Sequence, residues 1–164
     1  MITFLSPVQK YAGASEPFEE PGFTKYVICN DNQASFWSIV DPDYVTLSDD
    51  TDVRISQDSQ NSLKIDILSE REHYTIIKKK IGVQDWSNTI ALNFWFKGMG
   101  SGESFSLGLF FNGSSNNFAC LDFKDTSTEW RELNFSTQNP SRTHGIVDWH
   151  NVTDVLLGRR DQGW

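Results

Sequence analysis

Seven residues of this chain have the types and spacing to do chemistry together: Asn93, Trp95, Phe110, Asp122, Trp130, Glu132 and Asn134. Most of them alternate with apolar residues. Side chains on a strand alternate faces, so such positions share an outward face wherever their neighbours are buried. An aromatic ring there is a flat apolar platform, while carboxylates and carboxamides pair with hydroxyl groups. That combination suits a polyhydroxylated ligand such as a sugar. Trp95 and Trp130 are the expected platforms, and Asp122, Glu132 and Asn134 the expected hydroxyl readers, with Lys97 beside them. The same face would serve equally to pack under a loop, against the N-terminal segment or against another subunit.

The elements that position these residues read as strands. In Asp85–Phe111, Ile90, Leu92, Phe94 and Phe96 alternate with Ala91, Asn93, Trp95 and Lys97. Phe105, Leu107, Leu109 and Phe111 then alternate with Ser104, Ser106, Gly108 and Phe110. The glycine-rich segment between them predicts a hairpin with a common outward face. Strands are also expected at Thr24–Cys29, Ser35–Val40, Tyr44–Leu47, Val53–Ser56, Ser62–Leu68, His73–Ile81, Phe118–Phe123 and Trp130–Phe135. Ser48–Asp52 is expected to be an acidic turn, and Asn112–Asn117 a polar loop. Lys78, Lys79 and Lys80 suit a solvated sheet edge, where lysine discourages aggregation. Ser136–Asn151 reads as a long loop, and Val152–Gly158 as a strand or one helical turn. Short strands at this spacing predict an all-β, antiparallel two-sheet β-sandwich. Residues 1–22, with three of the five prolines, read as an extended arm, and residues 23–164 as the sandwich domain.

Composition narrows the function classes. The 164 residues carry a net charge of −8 and 13% aromatic residues. An acidic chain repels phosphate backbones and anionic headgroups, so nucleic acid and membrane surfaces are disfavoured partners. No apolar run is long enough for a membrane-spanning helix. The N-terminal residues lack the charged and apolar segments of a signal peptide. Cys29 and Cys120 have no CxxC spacing and read as two small buried thiols. The chain contains no nucleophile elbow, HExxH motif, P-loop or dinucleotide fingerprint, so no catalytic residue is expected. His144, Asp148 and His150 share one polar loop and could hold a metal, although such residues commonly face water.

Four segments carry a family resemblance. They are Phe18-Glu19-Glu20-Pro21-Gly22-Phe23, Ser59-Gln60-Asn61-Ser62-Leu63-Lys64-Ile65, Asp85-Trp86-Ser87 and Trp130-Arg131-Glu132-Leu133-Asn134-Phe135. In this order, over roughly residues 18–158, the chain resembles the jelly-roll carbohydrate-binding modules of the galactose-binding-domain-like type. The resemblance implies a jelly roll that binds a glycan or polysaccharide without catalysis. It also implies a structural Ca2+ near the start of the fold, with Glu19 or Glu20 as carboxylate ligand and Asn61 nearby. Such modules end on a strand with paired aspartates, and this chain reaches Trp164 about where that strand would begin, so the last strand is expected either to be missing or to be supplied by another segment or subunit. An acidic, Trp-rich sandwich also resembles domains of phage tails and capsids. That likeness implies a virion-surface or extracellular protein, either a glycan adhesin or an assembly domain packed on other virion subunits or on copies of itself.

Overall fold

The computed structural model describes residues 2–3, 34–40, 42–43, 45–50, 62–67 and 77–159. These residues form β1 (Ile2–Thr3), β2 (Ser38–Ile39), β3 (Val45–Asp50), β4 (Ser62–Ile67), β5 (Ile77–Gln84) and β6 (Ala91–Phe96). They continue as β7 (Ser104–Phe111), β8 (Ser114–Lys124), β9 (Arg131–Ser136), β10 (Arg142–His144) and β11 (Val152–Arg159). One 3-10 turn, Ala34–Phe36, is the only helical element among the described residues. The strands make a five-stranded sheet, β3-β4-β1-β6-β9, and a six-stranded sheet, β10-β8-β7-β11-β5-β2. Every pairing is antiparallel.

Period-two alternation accounts for the core between the sheets. Leu92, Phe94 and Phe96 of β6 face Phe105, Leu107, Leu109 and Phe111 of β7 in one buried cluster, joined by Leu121 and Phe123 of β8 and by Val155 and Leu157 of β11. The aromatic members touch: Phe94 and Phe96 lie 5.4 and 5.2 Å from the Phe123 ring, and Phe135 stacks on Phe94 at 5.5 Å. Each fully buried side chain of this kind stabilises the fold by about 1.5–3 kcal/mol. Ile90 is expected inside by the same alternation, but it precedes β6 and is 50% exposed.

The largest departure from the sequence reading concerns β6 and β7. They do not form a hairpin. β6 belongs to the five-stranded sheet and β7 to the six-stranded one, and residues 97–103 carry the chain across. Asp125 holds that crossing in place. Its carboxylate accepts hydrogen bonds from Met99 N (3.0 Å), Gly100 N (3.0 Å), Ser101 N (3.1 Å) and Ser101 Oγ (2.9 Å). Gly98 lies so close that an added Cβ would stand 1.9 Å from Asp125 Oδ1. The side chain is buried, with 3% exposure. Burial alone would raise its pKa, but the hydrogen bonds from Met99, Ser101 and Gly100 outweigh that and hold it below the usual carboxylate range.

Other differences are local. Ser48–Asp50 lie in β3 rather than in a turn. The polar segment after Phe111 is a two-residue turn, because Asn112 (φ 57) and Gly113 (φ 65) both adopt the left-handed conformation of a type I′ hairpin. Ser136–Asn151 contains β10, and 152–159 is a strand in the middle of its sheet. β5 lies between β11 and the two-residue β2, which pairs with Ile77 and Lys78 only, so Lys78 is inside the sheet while Lys80, past the end of β2, is exposed. Lys78 pairs with Asp154 at 3.1 Å, and Lys79 lies over the rings of Phe36 and Trp37. Of the expected arm, Ile2–Thr3 pair with β4 and β6. The rest of the arm, the strands expected at Thr24–Cys29 and Val53–Ser56, and the segment beyond Arg159 where a missing strand was expected all lie outside the described residues.

Candidate functional site

Four of the seven expected residues come together. The β6–β9 register sets Asn93 opposite Asn134 and Trp95 opposite Glu132. Their neighbours Leu92, Phe94, Leu133 and Phe135 belong to the core, so these four point away from it. Glu132 and Asn134 are exposed, while Asn93 and Trp95 are half-buried. The result is a strip two strands wide with an indole and a carboxylate at one step and two carboxamides at the next. The Asn93 Oδ1 is buried without a hydrogen-bond partner, and such groups normally find one. β9 is the last strand of its sheet among the described residues, so the strip lies at an edge.

Trp130 sits one residue before β9, half-buried, beyond the last β6 partner. Arg131 follows it, with its guanidinium 5.7 Å from the Phe96 ring and its Nη1 donating to Thr126 Oγ1 at 2.9 Å. This places Trp130 at the end of the strip rather than within it.

Phe110 and Asp122 are not part of the strip. They lie on the outward face of the six-stranded sheet, because the chain crosses between sheets after β6. Phe110 is not an open platform. It is 7% exposed, packed edge-to-face on Phe118 at 6.1 Å with the Lys78 ammonium 5.3 Å from its ring. Asp122 is engaged by Arg142, whose Nε and Nη2 donate to its two oxygens at 3.1 and 2.8 Å. Arg142 Nη2 also donates to Ser106 Oγ at 3.0 Å, and Ser106 donates to Asp122 at 2.5 Å. Hydrogen bonding to Asp122 raises the Arg142 pKa further. An aspartate so paired has little capacity left for ligand hydroxyls. Cys120 lies on the same face, buried as expected, and burial pushes its thiol up to about 11. Leu156, also on this outward face, is only 4% exposed. Around Phe110, Cys120 and Leu156 the outward face of the six-stranded sheet is therefore packed rather than open.

The residues expected to hold a metal fall in two groups. Glu19, Glu20 and Asn61 lie outside them. His144 stacks on Phe118 at 5.5 Å, and His150 Nδ1 is 3.3 Å from the Asp85 carboxylate, which also accepts from Ser87 N. That Ser87 contact, with smaller help from His150, lowers the Asp85 pKa. Among the described residues, no three His, Cys, Asp or Glu side chains gather as a metal site would require.

A pocket that the sequence does not announce lies at the end of the sandwich. The segment leading into β6 supplies Ser87, Asn88 and Thr89, the turn after β9 supplies Thr137 and Gln138, and the loop before β11 supplies Trp149. These are scattered polar residues in three loops, with no periodicity to join them. The nearest sequence signal is Asp85-Trp86-Ser87, whose Trp86 N donates to Trp149 O at 2.6 Å.

No protein-family model, curated protein or solved structure matches this chain. No helix among the described residues is long and apolar enough to cross a membrane.

Proposed function

We propose that this chain is a non-catalytic carbohydrate-binding β-sandwich module, with a glycan or polysaccharide lying along the β6–β9 strip. The observation that carries the reading is the register that sets Trp95 beside Glu132 and Asn93 beside Asn134 on one outward face. An indole gives a sugar ring an apolar surface to rest on, and the carboxylate and two carboxamides offer both donors and acceptors to its hydroxyls. The strip contains one carboxylate, whereas glycoside hydrolysis takes a pair, which favours binding over cleavage. The jelly-roll resemblance of the sequence points the same way. A glycan adhesin on a virion or other extracellular surface is the setting that fits this reading.

A glycan array probed with wild type, Trp95→Ala and Glu132→Gln, run beside thermal melts, tests it. Wild type is expected to bind, and both variants to lose binding. Glu132 is exposed and Trp95 half-buried, so the melting losses should stay well below those of a buried aromatic, about 3–5 kcal/mol. No glycan bound by wild type, or a change in oligomeric state on mutating Trp95, would replace the reading with an assembly domain whose strip packs on other subunits.

A further inference from the structure

The geometry points to a second binding site, separate from the strip: the pocket between Asn88, Gln138 and Trp149 takes a single neutral sugar residue. It does not depend on the strip binding glycan.

The walls are held by the protein's own bonds, so the shape exists before any ligand arrives. Trp149 packs edge-to-face on the buried Phe111 ring at 5.2 Å, and its carbonyl accepts from Trp86 N. Thr137 N donates to Ile90 O at 3.1 Å, and the Thr137 hydroxyl donates to Thr89 O. Ser87 N donates to Asp85 Oδ1 at 3.0 Å. The groups that would recognise a ligand are not consumed by these contacts. The carboxamides of Asn88 and Gln138 are exposed and have no hydrogen-bond partner among the described residues. The Thr89 hydroxyl is buried with no partner. Ile90, half exposed at 50%, adds apolar surface.

This inventory defines the ligand class. No lining residue is charged, and the chain carries −8, so nothing here would hold an anion. One indole, the two carboxamides and the unpartnered Thr89 hydroxyl combine an apolar surface with mixed donors and acceptors. A neutral polyol with an apolar C–H face complements that mixture. The volume, about 310 Å³, is at the bottom of the range for small-molecule sites, which suits one sugar residue rather than a chain.

Saturation-transfer NMR on the full chain with D-glucose, D-galactose or N-acetyl-D-glucosamine tests this, with D-glucuronate and uridine as competing chemistries. At least one neutral sugar is expected to show transfer. Its amide shifts should be confined to residues 87–90, 137–138 and the Trp149 indole. Asn88→Ala and Gln138→Ala should each weaken binding about five-fold, the loss of one hydrogen bond, with unchanged melting because both side chains are exposed. Trp95→Ala should leave this binding intact, which separates the pocket from the strip. Transfer from no neutral sugar, shifts that map elsewhere, preference for glucuronate or uridine, or loss of the signal in Trp95→Ala would each overturn the assignment.

Discussion

Removing the Asp125 carboxylate should loosen the whole crossing between the sheets. Asp125→Ala takes away four hydrogen bonds to a buried charge. Each such bond contributes about 1.5–3 kcal/mol when nothing replaces it. Met99, Gly100 and Ser101 are exposed, so water can satisfy their freed groups and most of that sum is recovered. The expected net loss is about 2–4 kcal/mol, or roughly 6–12 °C in melting temperature for a domain of this size. Asp125→Asn should lose less, because its carbonyl can replace the Oδ2 that accepts from Met99 and Ser101 while its NH2 faces Gly100 N. Gly98→Ala attacks the same arrangement from the other side, since the new methyl would overlap the carboxylate. The Asp125 pKa is lower in the folded state than its ordinary value, so its contribution is present in full above about pH 5 and is lost as pH falls through the folded value. Urea unfolding of wild type and Asp125→Ala at pH 7 and pH 2.5 measures this. The gap between them should shrink at the lower pH. A gap of the same size at both, or none at pH 7, would refute the argument.

Two further tests address the outward face of the six-stranded sheet. Arg142→Ala leaves Asp122, largely buried, without its bidentate partner, and should cost about 2–4 kcal/mol in urea unfolding, whereas Arg142→Lys should recover part of that. In a Cys29→Ser background, Cys120 should resist a thiol reagent at pH 8 until the protein unfolds, because it is buried and its thiol is raised to about 11; rapid labelling of the native protein would contradict the packing described.

Strand identity was legible in the sequence where apolar alternation is strong. Leu63 and Ile65 of β4, Leu92 to Phe96 of β6 and Phe105 to Phe111 of β7 all face the core as read. Sheet membership was not legible. Alternation says which side chains share a face of one strand, but not which strand lies alongside. A seven-residue linker can close a hairpin or cross between sheets, and here a carboxylate more than twenty positions downstream decides for crossing. The division of the candidate site follows from that: Trp95 and Phe110 alternate in the same style and end on different sheets. β10 was hidden because Arg142–His144 has no apolar pattern. It pairs with β8 through backbone bonds, and Arg142 is tied to Asp122. The Asn112-Gly113 turn was readable, since this dipeptide favours the left-handed pair of a tight hairpin, yet the polar residues after it resemble a loop although they open β8. The pocket could not be read because its walls come from three loops brought together only when the sandwich closes.

The place of β11 has a consequence for how the chain is made. It is the last described strand to leave the ribosome, yet it lies between β7 and β5 and bonds to both. Until it arrives, the six-stranded sheet exists as two unjoined halves, each with a long bare edge in the middle of the future sheet. Such edges invite pairing with other nascent chains. The sheet can therefore close only after Val152–Arg159 has been synthesised, and a ribosome stalled before Val152 would hold two half-sheets competent to recruit a neighbour's strand in place of their own.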